Sequence, residues 1–173
     1  PAWFFDAHQQ GEPLADVGTH LVDLVQWTLS SEIQLDYRRD LAVLRGAREV
    51  IRLTEAQFRG VTGLAAFPEF LRGAVRDRRL DYVMKNSVSY TLRGVHVKLD
   101  VVWDYEAPPG GKDTEMAVFR GTRSRVEVRQ GRAESFVPEV HVLPNRPGDR
   151  AAVETTLRAR LRLCEWRLAD EGA

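Results

Sequence analysis

The sequence predicts an α+β fold: an open, predominantly antiparallel β-sheet with helices packed on one face. Three observations predict it. Helices, then strands, then a last helix follow one another in blocks, which argues against the strict alternation of a parallel doubly wound sheet. Residues 94–105 alternate at period two, with Val95, Val97, Leu99, Val101, Trp103 and Tyr105 interleaved with His96, Lys98, Asp100 and Asp104. Short turns containing Gly or Pro separate the later strands, as in an antiparallel meander.

The elements follow in order. Residues 1–16 read as a connector punctuated by Gly11 and Pro13, with Asp16 at a helix N-cap position. Residues 17–29 read as a helix, because Val17, Leu21, Leu24, Val25 and Thr28 share one arc. Residues 30–39 are polar and irregular. Leu41–Leu44 is a short apolar run and Val50–Leu53 a second short strand. Thr54 and Gln57 have the spacing of a capping box, which starts a helix over 55–61 that ends near Gly63. Pro68 suits the first turn of a helix over 68–76. Strands are expected at 82–91, 94–105, 114–120, 124–129 and 134–143, with turns at Pro108–Gly111, Gly121 and Gly131. A last helix is expected over 149–170, where Val153, Leu157, Leu161, Cys164 and Leu168 recur at steps of three and four.

Composition bounds the function. The chain has 173 residues, 43% apolar and 29% charged, enough for a packed core and too apolar for a disordered chain. No run approaches the ~20 apolar residues of a membrane span. The 25 basic residues balance the 25 acidic ones, so neither nucleic acid nor a membrane surface is an expected partner. All but three of the 25 basic residues are arginine. Cys164 is the lone cysteine, which excludes an internal disulfide and a Cys-based zinc site. The opening Pro1-Ala2-Trp3-Phe4-Phe5, without initiator Met or leader pattern, reads as the interior of a longer chain. A cytoplasmic location is the favoured expectation, with any export signal lying upstream of Pro1.

The densest chemical signal is Asp16-Val-Gly18-Thr-His20-Leu-Val-Asp23-Leu-Val-Gln-Trp27. With Asp16 at zero on a helical wheel, His20 falls at about 40°, Asp23 at about −20° and Trp27 at about 20°. The four share one stripe, set apart from the apolar arc. A carboxylate beside an imidazole can accept one ring N–H and raise the basicity of the other nitrogen. That nitrogen can then take a proton from a substrate hydroxyl. The plainer alternative is a helix cap, a locally bonded His and a solvated acidic face. Asp6 and His8, just ahead of the helix, are candidates for the same pocket or residues of an exposed loop. His96, Trp103 and Tyr105 fit a sheet face or the core, as well as a cleft or a sugar-stacking platform. Arg76, Arg78 and Arg79 suit a helix end. His141 and Cys164 do not on spacing alone form a nucleophile–base pair.

The pattern Asp16-x-Gly18-x-His20-x-x-Asp23 resembles the signature helix in the C-terminal domain of the Gfo/Idh/MocA oxidoreductases, which include glucose–fructose oxidoreductase and inositol dehydrogenase. Phe119-Arg-Gly121-Thr-Arg-Ser124-Arg-Val-Glu-Val128 resembles a strand pair of that family, with Ser124 where Gly is usual. Trp3-Phe-Phe-Asp6, Gln10-Gly11, Leu92-Arg-Gly-Val-His96 and Gly110-Gly-Lys-Asp-Thr114 are similar to its oxidoreductase C-terminal domain subgroup. The resemblance covers most of residues 3–145. It implies a domain of the glucose–fructose oxidoreductase/inositol dehydrogenase type, single over 1–173, serving substrate binding and oligomerisation. His20 and Asp16 match the family's catalytic pair at a substrate hydroxyl, with His20 the proton acceptor. Asp23 matches a recurrent acidic position, read as supporting or structural. The implied substrate is a sugar or polyol and the implied cofactor of the parent protein NAD or NADP. A homo-oligomer formed through the sheet face is the expected assembly.

The family's Glu-Lys-Pro lysine has no counterpart, since the lysines are Lys85, Lys98 and Lys112. No two glycines are spaced Gly-x-Gly, so the dinucleotide fingerprint and its N-terminal domain are missing. The chain alone is therefore expected to bind no cofactor and to be inactive. Two rivals stand beside this expectation: a non-catalytic carbohydrate-binding or dimerising module, and a hydrolase whose metal is held by Asp16, His20 and Asp23.

Overall fold

The computed structural model describes residues 1–161, which fall in two compact units, one of Pro1–Glu106 and one from Ala107 onward. The elements are helix α1 (Val17–Ser30), α2 (Tyr37–Asp40), strand β1 (Leu41–Thr54), α3 (Glu55–Thr62), β2 (Val75–Arg76), β3 (Arg79–Leu92), β4 (Val95–Val102), β5 (Glu115–Arg120), β6 (Ser124–Gln130), β7 (Glu139–Pro144) and α4 (Arg150–Leu161). The fold is α+β with antiparallel sheets, as the segregated pattern predicts. The strands form two sheets, one in each unit.

In the first unit β3 is the central strand, paired with β1 on one side and with β2 and β4 on the other, all antiparallel. Its even positions face inward: Leu80, Tyr82, Asn86, Tyr90 and Leu92 are buried. Val97, Leu99 and Val101 of β4 continue that face through the pairs Tyr90–Val97, Val88–Leu99 and Asn86–Val101. The other face is polar. Ser87 Oγ donates to Asp100 Oδ1 at 2.6 Å and Lys98 Nζ reaches Asp100 Oδ2 at 2.7 Å. These donors, Lys98 first, hold the Asp100 carboxyl down at about 2. Arg93 and Gly94, both at positive φ, make the two-residue turn that joins β3 to β4.

Four expectations are corrected here. The apolar runs at 41–44 and 50–53 belong to one 14-residue strand. Arg45, Arg48 and Glu49 are tolerated in it because β1 is an edge strand, where charge costs little. Two irregularities, at Val43/Arg45 and Glu49/Val50, absorb its register against β3. The helix expected over 68–76 is instead a 3-10 turn, Glu69–Ala74, followed by β2. Val75 pairs with Leu80 across the turn Asp77–Arg78, and that ladder outweighs helix propensity. Arg76, Arg78 and Arg79 therefore sit at a hairpin, with Arg76 Nε 3.4 Å from Asp81. The N-terminal stretch is more than a connector, because Ala2–Phe5 is a 3-10 turn whose Phe5 is buried.

Phe5, Leu53, Phe58, Leu71, Leu80 and Tyr82 form the core of this unit. The Phe5 ring lies 5.1 Å from that of Phe58 and 5.3 Å from that of Tyr82. Phe58 is carried by α3, whose expected capping box is present: Thr54 Oγ1 accepts from Gln57 N, and Gln57 Oε1 accepts from Thr54 N. Gly63, at φ +76°, ends the helix. Trp103 stacks on Phe4 at 4.6 Å, and the Tyr105 hydroxyl accepts from Gln57 Nε2 at 3.0 Å, so both aromatics pack at the core rather than standing open.

The second unit holds β5, β6 and β7 in that order, all antiparallel. Gly121 turns the chain between β5 and β6, where a Cβ would lie 3.0 Å from Ser124 O. Glu127 is buried on β6 between Arg125 and Arg129, and their hydrogen bonds hold its carboxyl below the usual range. The strand expected from 134 begins at Glu139, because 131–137 folds into a turn in which Phe136 N donates to Gly131 O at 2.7 Å. His141 Nε2 lies 3.2 Å from Glu139. The last helix is described as far as Leu161, and Cys164 and Leu168 lie outside the described residues.

Candidate functional site

Helix α1 carries the candidate site. It starts where expected, with Asp16 at the N-cap, but the Asp16 carboxylate does not cap it. Asp16 Oδ2 instead accepts from Gln10 Nε2 at 2.9 Å, while Thr19 Oγ1 donates to the Asp16 carbonyl at 2.6 Å. His20, Asp23 and Trp27 are exposed along the same stripe, Trp27 by 71%. No hydrogen bond or ion pair engages the His20 or Asp23 side chain among the described residues. Asp16 is thus oriented by a neutral amide, and His20, one turn along, keeps both ring nitrogens available.

Gly18 explains part of the motif. It is buried, and a Cβ there would lie 2.6 Å from Leu14 Cδ1 and 3.2 Å from Leu14 Cγ. Gly18 N donates to Pro13 O at 3.0 Å, so the first turn of α1 is laid directly on residues 13 and 14.

Asp6 and His8 come just ahead of this helix, and Asp6 O accepts from Gln10 N at 2.9 Å. They line a depression of about 210 Å³, bounded also by Phe4, Phe70, Tyr82 and Trp103, and Asp16, His20 and Asp23 are not among its lining residues. The Asp6 carboxylate accepts from Gln9 Nε2 at 2.8 Å and from His8 N at 3.0 Å, which lowers its pKa. Burial, with Asp104 nearby, pushes the Tyr82 hydroxyl up to about 12. His96 is exposed on the polar face of β4. No three His, Cys, Asp or Glu side chains converge into a metal-ligand set among the described residues. No helix among them is long and apolar enough to cross a membrane.

Sequence reasoning missed Gln10, Glu12 and Asn86. Asn86 had a signal: it interrupts the inward-facing row Leu80, Tyr82, Met84, Val88, Tyr90 with an amide, and a polar group at a core position needs a partner. Gln10 and Glu12 sit in a polar loop with no pattern to mark them.

The fold and this helix define an oxidoreductase C-terminal domain. Residues 1–168 match the family described as "Putative oxidoreductase C terminal domain", and the chain belongs to it. It is similar to the crystal structure of a putative oxidoreductase from Parabacteroides merdae, at 35% identity and a TM-score of 0.88. That match covers 99% of this chain and 40% of the other, so the chain spans well under half of that protein's length. No curated protein matches the chain.

Proposed function

We propose that this chain is the substrate-binding half of an NAD(P)-dependent oxidoreductase acting on a sugar or polyol hydroxyl. The observation that carries the proposal is the exposed His20, one helical turn from an Asp16 already oriented by Gln10. His20 accepts the hydroxyl proton through a free ring nitrogen as the adjacent C–H bond breaks. Asp16 orients that hydroxyl or the imidazole, and Asp23, on the same stripe, has a supporting or structural role. The hydride acceptor is a nicotinamide held outside this chain. The residues present do not fit a dinucleotide, because no Gly-x-Gly lets backbone approach a pyrophosphate. The chain alone is accordingly inactive. Asp6 and His8 line a largely aromatic depression ahead of α1, where they contact substrate only if it extends beyond the reacting ring. The outward face of the first sheet, with Ser87, Ser89, His96 and Lys98, is the surface for self-association, which sedimentation of the chain would reveal.

His20→Ala in the full-length protein abolishes turnover of its sugar or polyol substrate while leaving the melting temperature unchanged. Turnover within a few-fold of the parent would remove His20 from the reaction and favour a sugar-binding or dimerising module.

A further inference from the structure

We infer that Asn86 is a positioning residue for the α1 site: its buried amide clamps the backbone from which Asp16 and His20 are presented. This rests on the proposed role of those two residues. Asn86 is 4% exposed, in the middle of the central strand β3. Its Oδ1 accepts from Leu14 N at 3.0 Å, and its Nδ2 donates to Glu12 Oε2 at 3.0 Å. The other oxygen of Glu12 is held by Arg48 Nη2 of β1 at 2.6 Å. Two strands of the sheet therefore hold Glu12 and Leu14, and Pro13 between them is fully buried.

The grip passes to the helix through backbone hydrogen bonds. Ala15 N and Asp16 N both donate to Glu12 O, at 2.8 and 3.1 Å. Gly18 N donates to Pro13 O, and Gly18 packs against the Leu14 side chain. A shift of residues 12–14 is thus a shift of Asp16 and of the turn that carries His20. Burying an amide on an apolar face is costly unless it is bonded, and here the bonds Asn86 makes are to this loop. An apolar residue would serve the sheet alone at least as well.

The test is residue-resolved amide hydrogen exchange on the 173-residue chain, comparing Asn86→Ala with Val88→Ala, the next position on the same face of β3. Asn86→Ala should speed exchange at residues 14–20 by about tenfold, the loss expected for a buried donor left unpaired, with little change elsewhere. Val88→Ala should not single out that segment. Glu12→Ala, at a half-buried loop position, keeps the bond from Leu14 N to Asn86 but removes the partner of the Asn86 amide and of Arg48; it should give a smaller local effect and serves if Asn86→Ala does not fold. In the full-length enzyme, Asn86→Ala should lower kcat/KM more than Val88→Ala does. Uniform exchange, or local loosening with unchanged turnover, overturns the inference. If Asn86→Ala loosens the segment and lowers turnover while His20→Ala retains it, the clamp stands and the catalytic role of His20 falls.

Discussion

Gly18→Ala sets two effects against each other at the heart of the motif. Alanine is favoured over glycine in a helix by up to about 1 kcal/mol, and by less in the first turn, where Gly18 lies. Against this, the new methyl would sit 2.6 Å from Leu14 Cδ1 and 3.2 Å from Leu14 Cγ. Overpacking of that kind costs about 1–3 kcal/mol. The Leu14 backbone is held by its N–H bond to Asn86, so relief must come from rotation of the half-buried Leu14 side chain, which leaves its Cβ in place. The expected net result is a loss of up to about 1 kcal/mol. Urea unfolding followed by tryptophan fluorescence measures it, since Trp3, Trp27 and Trp103 all lie in the first unit. The decisive variant is the double substitution. In a Leu14→Ala background the two clashing atoms are gone, and the remaining Cβ lies at an ordinary 3.4 Å from the new methyl. There Gly18→Ala should be neutral or stabilising. An equal cost in both backgrounds would refute the close-approach argument and leave Gly18 unexplained.

Two further outcomes follow from the core and the charge networks. Phe58→Ala, at a fully buried site ringed by Phe5 and Phe67, should cost about 3–5 kcal/mol in the same urea assay, and a loss under 1 kcal/mol would deny that this cluster holds the unit together. Asp40 is held at about 2, chiefly by the hydrogen bonds from Arg39, then by the Asp36 N–H. A carboxyl whose folded pKa lies below its unfolded value of 3.8 stabilises fully above that value, and the contribution is lost as pH falls toward 2. Asp40→Asn should therefore lower stability at neutral pH and flatten the acid limb between pH 4 and 2. An unchanged acid limb would show that Asp40 is no part of it.

Much of this was legible beforehand, and the reason is range. The α1 stripe, the Thr54–Gln57 box, the Gly63 stop and the alternation of β3 and β4 depend on residues a few positions apart, so periodicity and cap chemistry reveal them. The 3-10 turn at Glu69–Ala74 did not, because Val75 is drawn into a ladder by β3. The polar middle of β1 looked like a break between two strands and became an edge, which only its pairing with β3 establishes.

The sequence by itself determined the segregated α+β order, the helix that bears Asp16, His20 and Asp23, and the absence of a dinucleotide fingerprint. The tertiary structure decided what surrounds that helix. Asn86 meets Leu14 and Glu12 across 72 and 74 positions, and no local pattern encodes a partner that far away. It also set Asp6 and His8 on the depression beside Phe4, Tyr82 and Trp103, a lining that does not include Asp16 or His20, although all four stand within 15 residues of one another. Nearness along the chain does not set direction: the turn at Ala2–Phe5 buries Phe5 in the aromatic core, and where the chain then leads depends on the packing of residues far from it.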